Sequence, residues 1–147
     1  MRRLAIGAGR LGQTDMIGGG PFQLKPGQWT DDTAMALALA ASLHEQRGLD
    51  EVDLMSRFLA WREEGEYSCT GTCFDIGGTV SAALRRWERS GEAIAGSTDP
   101  NTAGNGSLMR VLPLALWHRG DDTELALLAA RQSLPPAAPT TPAASPS

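Results

Sequence analysis

A hydroxyl and two carboxylates stand side by side in GQWTDDTAMALALAASL, residues 27–43, directly before a run in which Ala34 to Ala41 are all apolar. Thr30 can cap a helix start, and Asp31 and Asp32 favour the positive end of its dipole, each by about 0.3–1 kcal/mol when exposed. A helix that is apolar on nearly every side belongs inside a fold, however. Taking a carboxylate out of water without a partner costs several kcal/mol, more than a dipole returns. An N-cap residue in non-helical geometry can turn its oxygen toward the side chains that follow, so Thr30, Asp31 and Asp32 can converge. Three oxygen donors without nitrogen or sulfur suit a hard cation such as Mg2+ or Mn2+. The spacing alone leaves capping and metal binding both open.

A second group lies in GSTDPNTAGNGS, where Gly104, Asn105, Gly106 and Ser107 precede an apolar segment. Small residues before a helix let backbone N–H groups approach a phosphate, and the helix start favours its charge. The same residues also fit a plain loop with Ser107 as N-cap. Other patterns carry less. GAGRLG, residues 7–12, fits a dinucleotide-binding spacing, but QTDMIGGGPF follows it and cannot supply the helix that such a site needs. Asp121, Asp122 and Thr123 echo the acidic pair, yet Asp121 with Glu124 reads as a cap and capping box. His44 and His118 sit late in apolar segments and read as helix-end residues.

These groups need helices to hold them. Periodicity predicts helices over Asp31 to Gln46, Glu51 to Glu63, Val80 to Arg89 and Asp122 to Ser133. In the second, Val52, Met55 and Leu59 form one stripe that Leu54, Phe58 and Trp61 broaden; in the third the stripe is Val80, Ala83, Leu84 and Trp87. Gly48 is expected to end the first helix and Asp50 to cap the second, while Gly91 closes the third. LMRVLPLALWH reads as helical with a kink or restart at Pro113. The first 29 residues read as irregular apart from a short strand at Leu4 to Ile6. Residues 135–147, PPAAPTTPAASPS, have too little apolar surface to order and are expected to be disordered.

The chain has 147 residues and a formal charge of -4, and Lys25 is its only lysine. No basic stripe exists to displace counterions from a phosphate backbone, which argues against a nucleic-acid partner. No apolar run reaches the roughly 18–20 residues of a membrane span, and the N-terminus lacks a signal-peptide core. A soluble cytoplasmic protein with reduced Cys69 and Cys73 is the expectation.

MIGGGPFQLKPGQWTDDTAMALALA resembles the first metal-binding motif of the ADP-ribosylglycohydrolase family. YSCTGTCFDIGGTVSAALRRW resembles its T-G-x-x-x-D-I-G-x-T loop and following helix, and NTAGNGSLMRVLPLAL its G-N-G-[SA]-x-M-R substrate loop. The three motifs stand in the family's order. The resemblance implies an all-α fold, an orthogonal multi-helix bundle over residues 16–134 after an atypical N-terminus at 1–15. It implies a hydrolase that removes ADP-ribose from modified protein side chains or related conjugates with two Mg2+ or Mn2+ ions. Thr30, Asp31 and Asp32 become metal ligands, and Asp31 and Asp75 catalytic. Gly77, Gly104, Asn105, Gly106 and Ser107 become substrate-binding residues. Asp75 also fits a simple turn cap. Where the family commonly has Asn after D-I-G, Gly78 stands here, which removes one side-chain hydrogen bond.

The resemblance further implies an acidic G-D-A-x-G-x-P-x-E type segment before the first loop and a second D-x-D-[ST] cluster after the last helix. Neither is present, so the bundle is expected to be incomplete at both ends, through truncation or a shifted reading frame. Weak metal binding, poor turnover and self-association through uncovered apolar faces follow as expectations. The rival readings are a non-catalytic ADP-ribose or nucleotide-binding module and a structural helical remnant.

Overall fold

The computed structural model describes residues 15–91 and 105–133. The expected strand at 4–6, the GAGRLG segment, Gly104 and the tail at 135–147 lie outside the described residues. Within them the secondary structure is helical: α1 (Asp31–Gln46), α2 (Glu51–Glu64), α3 (Gly78–Ser90), α4 (Gly106–Met109), α5 (Leu112–Trp117) and α6 (Asp122–Ser133). A single antiparallel bridge between Gly19 and Leu24 pins the loop before α1, and no strand appears among the described residues. None of these helices is long and apolar enough to cross a membrane.

α1 is the central rod that its composition predicts. Ala34, Met35, Ala38, Leu39 and Leu43 are buried in the core, against Leu54, Phe58 and Trp61 of α2, Leu84 of α3 and Leu114 of α5. Its far side is not closed, since Leu37 is 40% exposed. α2 corrects the expected stripe. Leu54, Phe58 and Trp61 make the core face, while Val52 is exposed and Met55 and Leu59 are only partly buried. Both stripes fit a helical period, and the one carrying the two large aromatic rings removes more apolar area from water.

Helix ends follow local chemistry with two exceptions. Asp50 caps α2 by accepting the Asp53 N–H at 2.9 Å, and Gly91 ends α3 in left-handed geometry. The residue that ends α1 is Arg47, with φ 56°, rather than Gly48. α3 starts two residues earlier than expected, with Gly77 as its extended N-cap. At the end of α2 a glycine is required: Gly65 has φ 73°, and a Cβ there would collide with the Gly71 carbonyl. Pro113 does restart the chain, standing in the first turn of α5. Leu125, Leu128 and Ala129 of α6 pack on the core, whereas Leu108, Leu112, Leu116 and Leu127 leave an apolar face open on α4 to α6.

Candidate functional site

The site forms where three loops meet the start of α1. Trp29, just before the acidic pair, is clamped from a distant segment. Its backbone N–H donates to Cys69 Sγ at 3.3 Å, its carbonyl accepts the Cys69 thiol at 3.0 Å, and its indole Nε1 donates to the Tyr67 carbonyl at 2.9 Å. Tyr67, held at φ 66°, is fixed in turn by Arg57, whose guanidinium donates to the tyrosine hydroxyl at 2.8 Å. The chain therefore enters α1 at an angle set by the 65–77 loop. Nothing in local sequence signals this clamp, because its partners lie about forty positions away and one of them is a thiol.

Thr30 is the N-cap residue of α1 in extended geometry, but its hydroxyl makes no capping hydrogen bond. The capping half of the alternative thus fails at its key contact. Asp31 is only 8% exposed, while Asp32 is exposed. Burial, then the hydrogen bond and charge of Asp32, then the charge of Asp75, push the Asp31 carboxyl up to about 6. Asp75 is thus near enough for its charge to bear on Asp31. Asp75 is exposed and sits in left-handed geometry at φ 58°. Such strain in a non-glycine residue costs on the order of 1–3 kcal/mol and occurs where surrounding structure enforces it.

Among the described residues no cation forms an ion pair with Asp31, Asp32 or Asp75. Carboxylates gathered without a cation fit a hard divalent ion, and the donor set is all oxygen. The set is small, however. No three Asp, Glu, His or Cys side chains among the described residues lie close enough together to hold a metal by themselves. Burial raises the pKa of the Cys73 thiol, Arg62 lowers it in part, and the charge of Asp31 adds to the rise, which disfavours the thiolate.

The third loop arrives beside the other two. A Cβ on Gly106 would stand 3.5 Å from Met35 of α1 and 3.5 Å from Val80 of α3. Gly106 thus lies between the helices that carry Asp31 and follow Asp75, with Asn105 and Ser107 on either side of it in the chain. The dipole argument for this turn needs correction. α4 has four residues and breaks off at Arg110, so it gives little of the macrodipole that a full helix would supply. Gly77 is exposed, and a Cβ there would meet nothing within 4 Å, so no close packing requires glycine.

Two other features follow the sequence reading in part. Asp121 accepts the Thr123 N–H at 3.0 Å as a cap, while Glu124, expected to complete a capping box, lies 3.6 Å from His118 Nε2; His118 ends α5 with its ring against the Asp121 carbonyl at 3.2 Å. Sequence reasoning did miss Arg110, the last residue of GNGSLMR, which lies 4.9 Å from the Phe58 ring centre and donates to Gln132. A lone charge within the apolar segment LMRVLPLAL was the available signal.

With this geometry in view, comparison with known proteins gives one answer. The family model for ADP-ribosylglycohydrolases matches residues 2–135. The chain is 47% identical over 105 residues to the ADP-ribosylarginine hydrolase Tri1 of Pseudomonas putida (strain GB-1), covering 71% of this chain and 28% of that protein. It is 39% identical over 110 residues to the ADP-ribosyl-[dinitrogen reductase] glycohydrolase of Rhodospirillum rubrum, covering 75% of this chain and 35% of that one. A solved structure described as an ADP-ribosylglycohydrolase-related protein complex superposes with a TM-score of 0.62 at 43% identity, over 82% of this chain and 38% of that chain. The chain spans about a third of the length of the curated relatives it matches. By sequence, by helical architecture and by the order of its three loops, the chain belongs to the ADP-ribosylglycohydrolase family.

Proposed function

We propose that residues 15–133 form the part of an ADP-ribosyl glycohydrolase that receives ADP-ribose and holds one divalent ion, Mg2+ or Mn2+. Two of the similar proteins are named ADP-ribosylarginine hydrolases, which supports an ADP-ribosylated arginine as the substrate. The observation that carries the reading is Asp31: a carboxylate, 8% exposed, pushed up to about 6 by burial and by two further carboxylates rather than neutralised by a cation.

In this reading Thr30, Asp31 and Asp32 hold the ion, which when bound would polarise ribose hydroxyls and acidify a coordinated water. Asp75, on its exposed strained turn, faces the ribose and moves a proton as the bond to the arginine nitrogen breaks. Asn105, Gly106 and Ser107 receive the phosphates. Two aspartates and a hydroxyl leave half of an octahedral shell to water, so the ion binds weakly and turnover by this chain is slow. The open apolar face of α4 to α6 favours self-association. Free Cys69 and Cys73 accord with a reducing compartment, and we place the chain in the cytoplasm.

Calorimetric titration of ADP-ribose into the purified chain, with and without Mn2+, tests this. Binding that strengthens with metal supports the reading, and metal-independent binding points instead to a non-catalytic nucleotide-binding module. No binding in either condition leaves a structural remnant.

A further inference from the structure

Arg110 touches three helices at once. Its Nε donates to Gln132 Oε1 at 2.8 Å, and a terminal nitrogen donates to the Gln132 carbonyl at 2.6 Å. The other terminal nitrogen reaches Met35 Sδ at 3.7 Å, and the guanidinium carbon lies 4.9 Å from the centre of the Phe58 ring. Gln132, 5% exposed, donates from its Nε2 to the Ser107 carbonyl at 2.9 Å. Because Arg110 occupies Oε1, the amide can turn only its Nε2 toward Ser107. Met35 closes the circuit, its methyl lying 3.5 Å from the Cβ position of Gly106.

This arrangement is a poor way to gain stability. The guanidinium forms no ion pair with a carboxylate among the described residues, and burial pulls its pKa down to about 10. An apolar side chain of similar size in such a place is often neutral or stabilising. What the arrangement does provide is geometry. α4 is a single turn and cannot define its own conformation, since one turn lies on the unfavourable side of helix nucleation. Gln132 holds that turn at the Ser107 carbonyl, and Met35 ties it to α1 one turn beyond Asp31.

We propose that Arg110 and Gln132 are positioning residues: they fix the backbone of the Asn105–Ser107 turn against α1, and so set ADP-ribose affinity without touching the ligand. The proposal rests on the reading that this turn receives ADP-ribose.

Gln132→Glu in the full chain tests it. The substitution keeps the size and the acceptor for Arg110, but turns an oxygen instead of an N–H toward the Ser107 carbonyl. Expected is a cooperative melt close to wild type, an unchanged Mn2+-induced rise in melting temperature, and ADP-ribose binding about tenfold weaker by calorimetry, equivalent to about 1.4 kcal/mol. Gln132→Met, which drops both side-chain hydrogen bonds, should weaken ADP-ribose binding at least as much and serves if the glutamate variant does not fold. A folded variant of either kind that binds ADP-ribose within about twofold of wild type overturns the positioning role. If the wild-type chain binds no ADP-ribose while Mn2+ still raises its melting temperature, the substrate reading of the turn fails, and this role fails with it.

Discussion

Two clusters of acidic side chains stand at opposite ends of α1 and have opposite electrostatic fates. At the far end of α1, Glu45 and Asp53 converge on Arg57, at 2.7 Å each, and Tyr67 completes the ring of partners at 2.8 Å. Burial works to raise the Asp53 carboxyl, but the hydrogen bond and charge of Arg57, with help from Gln46, outweigh it and hold the pKa below the usual carboxylate value. At the near end, Asp31 has only Asp32 and Asp75 for company and rises to about 6. The paired cluster reads as scaffold; the unpaired one carries a cost in stability, which is why we propose it as the site.

Charge removal should therefore act in opposite directions at the two ends. The largest expected effect is on chemistry: Asp31→Asn should lower ADP-ribose release by roughly 100-fold or more, the scale of losing the several kcal/mol that a correctly held ion supplies, measured against a modified arginine-bearing protein. In metal-free buffer the same variant should melt at or above wild type. Asp53→Asn should instead lose about 1–3 kcal/mol in denaturant unfolding, because it leaves the Arg57 guanidinium short of a partner. A higher melting temperature for Asp53→Asn would break the contrast.

The pH dependence carries the same opposition. A carboxyl raised in the folded state stabilises most when protonated, so the Asp31 contribution is full below its ordinary value of 3.8 and is lost as pH rises through about 6. Asp53 is depressed, so its contribution is present above 3.8 and disappears as pH falls further. Metal-free melting curves of Asp31→Asn should lose the decline on the neutral side, and those of Asp53→Asn the decline on the acid side. Identical profiles for the two variants would remove the distinction.

The link between the two ends is smaller in energy. Arg57 reaches the site through Tyr67 and Trp29, so Trp29→Phe should cost about 1 kcal/mol by deleting the indole hydrogen bond while keeping the ring. Cys69→Ala should cost less, about 0.5–1 kcal/mol, since a thiol is a weak hydrogen-bonding partner. Chemical denaturation would rank the two, and a Cys69→Ala variant less stable than Trp29→Phe would reverse the expected order.

Much of this was legible in the sequence, and for physical reasons. A run as apolar as Ala34 to Ala41 has no exposed face to offer, so α1 had to be central, and the acidic pair at its start had to be unusual. Asp50 and Gly91 obey local rules that three or four residues suffice to state. Other features depend on partners far away in the chain. The choice between the two stripes of α2, the thiol clamp on Trp29, the Arg57 ring and the Arg110–Gln132 pair each require knowing which helices meet. The dipole expected at Gly106 failed because the helix stops at Met109, where Arg110 turns into the core instead of continuing the helix.

The most direct test of the central claim is thermal melting at neutral pH across a Mn2+ or Mg2+ titration, for wild type and for Asp31→Asn. A cation that neutralises the buried Asp31 carboxylate binds only the folded chain, so the wild-type melting temperature should rise with metal concentration as mass action requires, and the variant's should stay flat. Equal rises in both proteins, or none in wild type, would contradict the claim that Asp31 is buried to hold a divalent ion.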